Sequence, residues 1–209
     1  LAMAQPIVSG RARGSTDPAA DATAVASSPD ALTIVVFGAS GDLAKKKTFP
    51  ALLDLFCAGL MPRHFAIYGY ARTAMTDDDF RHRVRPFLQR SCLSNVERFL
   101  STMRYFSGSH DDEEAFSKLV DAANAFEVSA ASTGIGNRLV YFALPTAVFG
   151  AAARIVRAKA VSPTGWTRVV VEKPFGYDLA SSNALMAELR AHLAESQVYR
   201  IDHYLCGNP

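Results

Sequence analysis

Leu32-Thr33-Ile34-Val35-Val36-Phe37 is a short apolar run rich in β-branched residues. It stops at Gly38-Ala39-Ser40-Gly41, and from Asp42 to Phe56 the apolar spacing becomes helical. Few folds accommodate that succession. A strand this apolar suits burial on both faces, as in a parallel sheet covered by helices. Glycines between strand and helix let the backbone pass close to a pyrophosphate, and the helix start offers unsatisfied N–H groups with a partial positive charge. The spacing is G-x-x-G-x-x-A, so only part of the usual dinucleotide fingerprint is present, and a turn without a ligand stays open as an alternative.

The rest of the chain repeats the alternation. Gly59 and Pro62 end the first helix. Strands are expected at Phe65–Gly69, Met103–Phe106, Arg138–Leu144 and Trp166–Glu172, with a sixth starting at Gln197–Ile201. Between them helices are expected over Met75–Gln89, Asp111–Asn124, Ala147–Ala160 and Asp178–Glu195, with Thr76 an N-cap and Pro86 a bend or stop. Strands alternating with helices predict an α/β fold, a Rossmann-like doubly wound parallel sheet. Residues 1–30, rich in Ala, Ser, Pro and Gly, read as a disordered leader. Arg11 and Arg13 only faintly suggest a transit peptide. The domain is expected over 31–205, followed by an atypical end at 206–209.

Bulk properties exclude several classes. A net charge of +2 argues against nucleic acid or an anionic membrane surface as partner, and no apolar run approaches the roughly 20 residues needed to cross a bilayer. Three cysteines, Cys57, Cys92 and Cys206, form no C-x-x-C pair, and the five histidines show no ligand spacing. That argues against a disulfide frame or a metal site and for a reducing compartment, with the cytoplasm as default.

Three further stretches carry chemistry. After the second strand comes Tyr70-Ala71-Arg72-Thr73, where an NAD-binding unit usually has an acid for the ribose; an Arg there favours the 2′-phosphate of NADP, against the alternative of a solvated surface Arg. Glu172-Lys173-Pro174-Phe175-Gly176 sits at the carboxyl end of the fifth strand, where ligands bind in open α/β sheets and where an X-Pro bond can be cis. Arg200-Ile201-Asp202-His203-Tyr204-Leu205 clusters hydrogen-bonding groups, although Asp202 and His203, adjacent on a strand, point to opposite faces.

In this order and at these separations, GASGDLAKKK, YART, VVVEKPFG and RIDHYL resemble glucose-6-phosphate dehydrogenase over about Leu32–Leu205. The resemblance implies NADP on Gly38, Ala39, Ser40, Gly41, Asp42, Leu43, Ala44 and Lys45, with Arg72 on its 2′-phosphate. It implies that Lys173 touches coenzyme and sugar phosphate, that His203 and Tyr204 hold glucose 6-phosphate, and that Asp202 orients a catalytic His. The implied reaction removes the C1 hydroxyl proton to that His while hydride passes to NADP, giving 6-phosphogluconolactone, in the oxidative pentose phosphate pathway. The full-length parent is expected to be a homo-oligomer.

Departures qualify the likeness. The family's Gly-Lys-Glu after RIDHYL is replaced by Cys206-Gly207-Asn208-Pro209, and Phe149 stands where the family commonly has Tyr. The resemblance implies that the catalytic His belongs to a second β+α domain, expected to be absent from this chain. The chain alone is therefore expected to bind NADP with little or no dehydrogenase activity. Two alternatives stay open: a non-catalytic NADP- or partner-binding fragment, and another Rossmann sugar oxidoreductase with an E-K-P loop, such as glucose–fructose oxidoreductase.

Overall fold

A computed structural model describes residues 30–88, 92–176 and 178–202. The expected leader, apart from Asp30, lies outside the described residues, as do His203, Tyr204 and the 206–209 end. Six strands, β1 (Ala31–Phe37), β2 (His64–Ala71), β3 (Met103–Ser107), β4 (Gly136–Phe142), β5 (Thr167–Glu172) and β6 (Val198–Ile201), form one sheet in the order β3-β2-β1-β4-β5-β6. Every neighbouring pair is parallel. The strands reverse order between β1 and β4, the switch point at which such sheets open a crevice beyond their carboxyl ends.

Helices cover both faces, as the apolar strands require. On one side α1 (Phe49–Cys57), α2 (Asp77–Val84) and α3 (Val96–Ser101) pack on Ile34, Val36, Ile67 and Met103. On the other, α4 (Glu113–Ala130), α5 (Phe149–Ile155) and α6 (Leu179–Arg190) pack on Val35, Phe37, Phe142 and Val171. Alternate residues of β1 thus feed opposite layers, the period-2 logic of a strand buried on both faces.

Local chemistry sets the helix ends. Thr76 caps α2 in a reciprocal box with Asp79, and Asp178 does the same for α6 with Ser181. Pro86 follows α2 in a 3-10 turn, Arg85–Phe87, so the helix expected to Gln89 ends at Val84. Residues 42–57 are helical but pass through a π turn, Ala44–Thr48, just before Pro50, which has no N–H with which to continue the α ladder. The helix expected over Ala147–Ala160 is likewise composite: a 3-10 turn (Thr146–Val148), α5, and a π turn (Val156–Ala160). Helix α4 runs beyond the expected Asn124 because its last turns bury Glu127 against Arg138 of β4. Helix α3 was not anticipated; its apolar residues Val96, Phe99 and Leu100 span too few turns to register as periodicity.

The cysteine expectation is corrected. Cys57, at the end of α1, and Cys92, before α3, form a disulfide across a sequence separation of 35, with Cα atoms 6.3 Å apart. Sequence spacing could not reveal it, because α3 is what carries Cys92 back to α1. Thiol usage is therefore no guide to compartment here. Among the described residues no helix is long and apolar enough to cross a membrane.

Candidate functional site

The strands end in a line of loops, and the glycine turn after β1, Arg72, Lys173 and Asp202 all lie along that edge. Over β1, the chain turns at Gly38, whose φ of +73° and whose position leave no room for a side chain: a Cβ would stand 2.1 Å from the carbonyl oxygen of Ala143 beyond β4. Gly38 and Ala39 both donate N–H to the carbonyl of Tyr70, at 2.8 and 3.3 Å, which ties the turn to the end of β2. Ala39 and Ala44 are fully buried in the core, so contacts to a ligand from these positions go through backbone. Asp42 pairs with Lys45 at 3.1 Å and Lys46 at 2.8 Å, and these lysines hold its carboxyl below the usual carboxylate range.

A cavity of about 220 Å³ opens above this turn. Gly38, Ser40 and Gly41 form its floor; Arg72 and Thr73 line it beyond β2, Gly108 and His110 beyond β3, and Leu144 and Pro145 beyond β4. Arg72 is exposed, and no carboxylate among the described residues pairs with it. Its loop is pinned from below: Tyr105 on β3 donates its hydroxyl to the carbonyl of Thr73 at 2.6 Å and of Ala71 at 3.2 Å, and the Gly108 N–H adds a bond to Ala71 at 3.0 Å. Burial pushes the Tyr105 phenol up, so it remains a donor at neutral pH. Tyr105, Gly108 and His110 were not singled out from sequence. Their only signal is position beyond the third strand, and that has meaning only once β3 lies beside β2.

At the other end of the edge, Lys173 follows β5 and Asp202 follows β6. Their side chains meet, Nζ to Oδ2, at 2.7 Å, with the lysine head more than half exposed. The Lys173–Pro174 bond is cis. Beneath it the buried carboxylate of Glu172 accepts a hydrogen bond from the hydroxyl of Tyr141 on β4. Burial and that carboxylate push the phenol well above its ordinary value. Asp202, expected not to pair with its neighbour His203, is thus engaged by Lys173. Phe149, by contrast, is fully buried against Phe142, with ring centroids 5.5 Å apart, and does not line the cavity.

A larger hollow of about 650 Å³ lies elsewhere. It is an apolar groove on the α1 side of β1, β4, β5 and β6, lined by Leu55, Leu60, Trp166, Val170 and Tyr199 among others. Its lining is mostly apolar, whereas the smaller cavity over the strand ends gathers the glycine turn, Ser40, Thr73, Arg72 and His110, the polar groups that orient a ligand.

Comparison with known proteins identifies relatives of this sequence and fold. The family model described as glucose-6-phosphate dehydrogenase, NAD binding domain, matches residues 35–208. A cytoplasmic isoform of glucose-6-phosphate 1-dehydrogenase from Solanum tuberosum is 48% identical over 181 residues, 83% of this chain and 35% of its own length. The Saccharomyces cerevisiae enzyme is 45% identical over 177 residues. Chloroplastic relatives also match, one from Nicotiana tabacum at 45% identity. A solved glucose-6-phosphate dehydrogenase in complex with its substrate glucose-6-phosphate superposes with a TM-score of 0.77 at 38% identity, covering 83% of this chain and 37% of that one. The chain therefore spans about a third of the length of the relatives it matches. With a matching domain over nearly all described residues and a sheet of this order, the chain belongs to the glucose-6-phosphate dehydrogenase family, in its NAD-binding domain.

Proposed function

We propose that this chain is the coenzyme-binding part of an NADP-dependent glucose-6-phosphate dehydrogenase. The observation that carries the coenzyme choice is Arg72, an exposed guanidinium without a carboxylate partner among the described residues, on the cavity wall where an NAD-specific unit would place an acid. The donor set fits the group. Gly38 to Lys45 would hold the pyrophosphate through backbone and the helix start, Ser40 and Thr73 add hydroxyls, and Arg72 forks onto the 2′-phosphate. When bound, NADP supplies the hydride acceptor.

The Lys173–Asp202 end of the edge is the sugar side of this reading. Lys173 would orient the bound coenzyme and the sugar phosphate, with His203 and Tyr204 on that phosphate, and Asp202 would orient the histidine that takes the C1 hydroxyl proton of glucose 6-phosphate. Among the described residues, His64 starts β2, His82 lies in α2, His110 follows β3 and His192 stands between α6 and β6, so none of them directly follows β5 or β6. We accordingly assign the proton acceptor to the remaining length of the parent protein, which is also where homo-oligomer contacts are placed. The isolated chain is expected to bind coenzyme with little turnover; a missing general base alone is worth about 10²- to 10⁴-fold. The likeness to the cytoplasmic potato isoform supports a cytoplasmic setting.

The test is titration with NADPH and NADH of wild type and Arg72→Ala, reading the coenzyme's own emission, because Trp166 precedes β5 at the opposite end of the sheet. NADPH should bind at least about tenfold tighter, roughly 1.4 kcal/mol, and Arg72→Ala should erase the gap. Equal binding of the two coenzymes by wild type would refute the NADP assignment. A second reading, a partner-binding module, is favoured by the apolar groove beside β4–β6, where Trp166 and Tyr199 are 38% and 45% exposed. Monodisperse behaviour of the purified chain at high concentration would count against it.

A further inference from the structure

His110 stands on the wall of the same cavity as Arg72, at the end of the loop that leaves β3. The sheet order places β3 next to β2 and two strands from β1, so the Arg72 and His110 loops share the side of the Gly38–Gly41 turn away from β4 and from Lys173. On the coenzyme reading given above, with the pyrophosphate on that turn and the 2′-phosphate on Arg72, that phosphate lies on this side. The loop is held without a ligand. The Tyr70 hydroxyl donates to the carbonyl of Ser109 at 2.8 Å, and a Cβ on Gly108 would stand 2.2 Å from that same hydroxyl, so the chain is pressed onto β2 immediately before His110.

We propose that His110 is a second, protonatable cation for the 2′-phosphate, making the preference for NADP(H) over NAD(H) depend on pH. This rests on the coenzyme reading given above. An imidazole changes charge near pH 6.5, whereas the guanidinium of Arg72 is always charged. With the imidazole protonated the 2′-phosphate faces two positive groups, and with it neutral only one.

The neighbouring charges are compatible with this. Asp112 caps α4, accepting the Ala115 N–H at 2.9 Å. The Ser109 hydroxyl holds the Asp111 carboxyl below its usual range, with His110 and Arg154 contributing attraction. Arg154, from α5, is paired with Glu113 at 2.9 Å. Asp111 is the competitor: if it kept His110 to itself, the phosphate would gain nothing.

The sign follows from linkage. A phosphate that raises the imidazole pKa on binding adds affinity that is fully present below the pKa of the ligand-free protein and lost as pH rises through the pKa of the complex. The phosphate's own second ionisation, near pH 6, works the other way, so only the difference between wild type and variant isolates His110. The experiment is NADPH and NADH binding from pH 5.5 to 8.5 for wild type, His110→Asn and His110→Lys. At pH 6, His110→Asn should bind NADPH about 3- to 10-fold more weakly than wild type, a gap closing to within about twofold by pH 8. NADH should show no such difference, and His110→Lys should hold the tight form at pH 8. Parallel pH profiles for wild type and His110→Asn, or an equal loss for NADH, would overturn the role of His110 while leaving the coenzyme reading intact. No NADPH binding by wild type at any pH would overturn both.

Discussion

Glu127 and Arg138 form the most deeply buried ion pair among the described residues, and its removal tests whether the fold's stability and its coenzyme site are separable. The side chains are 2% exposed for Arg138 and 5% for Glu127. The carboxylate receives Arg138 Nε at 2.8 Å and Nη2 at 2.9 Å, and the Thr33 hydroxyl of β1 at 2.7 Å. Helix α4 is thereby tied to two central strands. Glu127→Gln leaves a guanidinium buried without its counter-charge, which costs about 3–5 kcal/mol. At roughly 2–4 °C per kcal/mol for a domain of this size, the melting temperature should fall by about 6–20 °C. Binding should not follow. Arg138 lies four positions before Phe142 at the cleft end of β4, roughly 13 Å along the strand. NADPH affinity below the new melting point should stay within about twofold of wild type. The double variant Glu127→Leu with Arg138→Met should recover most of the loss, less about 1 kcal/mol for the unpartnered Thr33 hydroxyl, because an apolar pair avoids the desolvation of both charges. Thermal and urea unfolding followed by circular dichroism give the numbers. A cost below about 1 kcal/mol for Glu127→Gln, or a double variant no better than the single one, would refute the reasoning.

Three other outcomes are expected. Gly38→Ala forces a Cβ to 2.1 Å from the Ala143 carbonyl at a φ of +73°, so it should destabilise the domain by about 2–4 kcal/mol in unfolding experiments and weaken NADPH by tenfold or more in titrations. Tyr105→Phe removes the donor to Thr73 at 2.6 Å. It should cost about 1 kcal/mol and narrow the NADPH-over-NADH ratio about threefold, whereas an unchanged ratio would mean that the Arg72 loop is held without it. Acid should act through the helix caps: Asp79 and Asp178 have carboxyls lowered mainly by bonds from Thr76 and Ser181. Lowered folded-state pKa values mean stability fully present above about pH 4 and lost as pH falls through the folded values. Urea midpoints between pH 5 and 2.5 should therefore drop less steeply in Thr76→Ala than in wild type.

Much of the architecture was legible because its signals are local. The apolar strands, the Gly38 turn, the Thr76 cap and the stop at Gly59 each depend on residues within a few positions of one another. The carboxyl-edge placement of Arg72 and Lys173 followed from alternation alone, since each stands just after a strand, whereas Asp202, read as part of a strand, lies just past the end of β6. Helix ends were less legible. The π turns at Ala44–Thr48 and Val156–Ala160 answer to a proline and to close packing on the sheet, neither of which alters hydrophobic period.

By itself, then, the sequence determined a doubly wound sheet, a glycine turn after the first strand and an arginine rather than an acid after the second. Local propensity, periodicity and capping suffice for that, because each is encoded over one or two turns of chain. The tertiary structure alone decided which loops meet. Strand order brings His110 to Arg72 and Lys173 to Asp202, and helix packing joins Cys57 to Cys92 and Glu127 to Arg138. Those contacts arise from the burial of whole faces against one another, which no short stretch of sequence specifies.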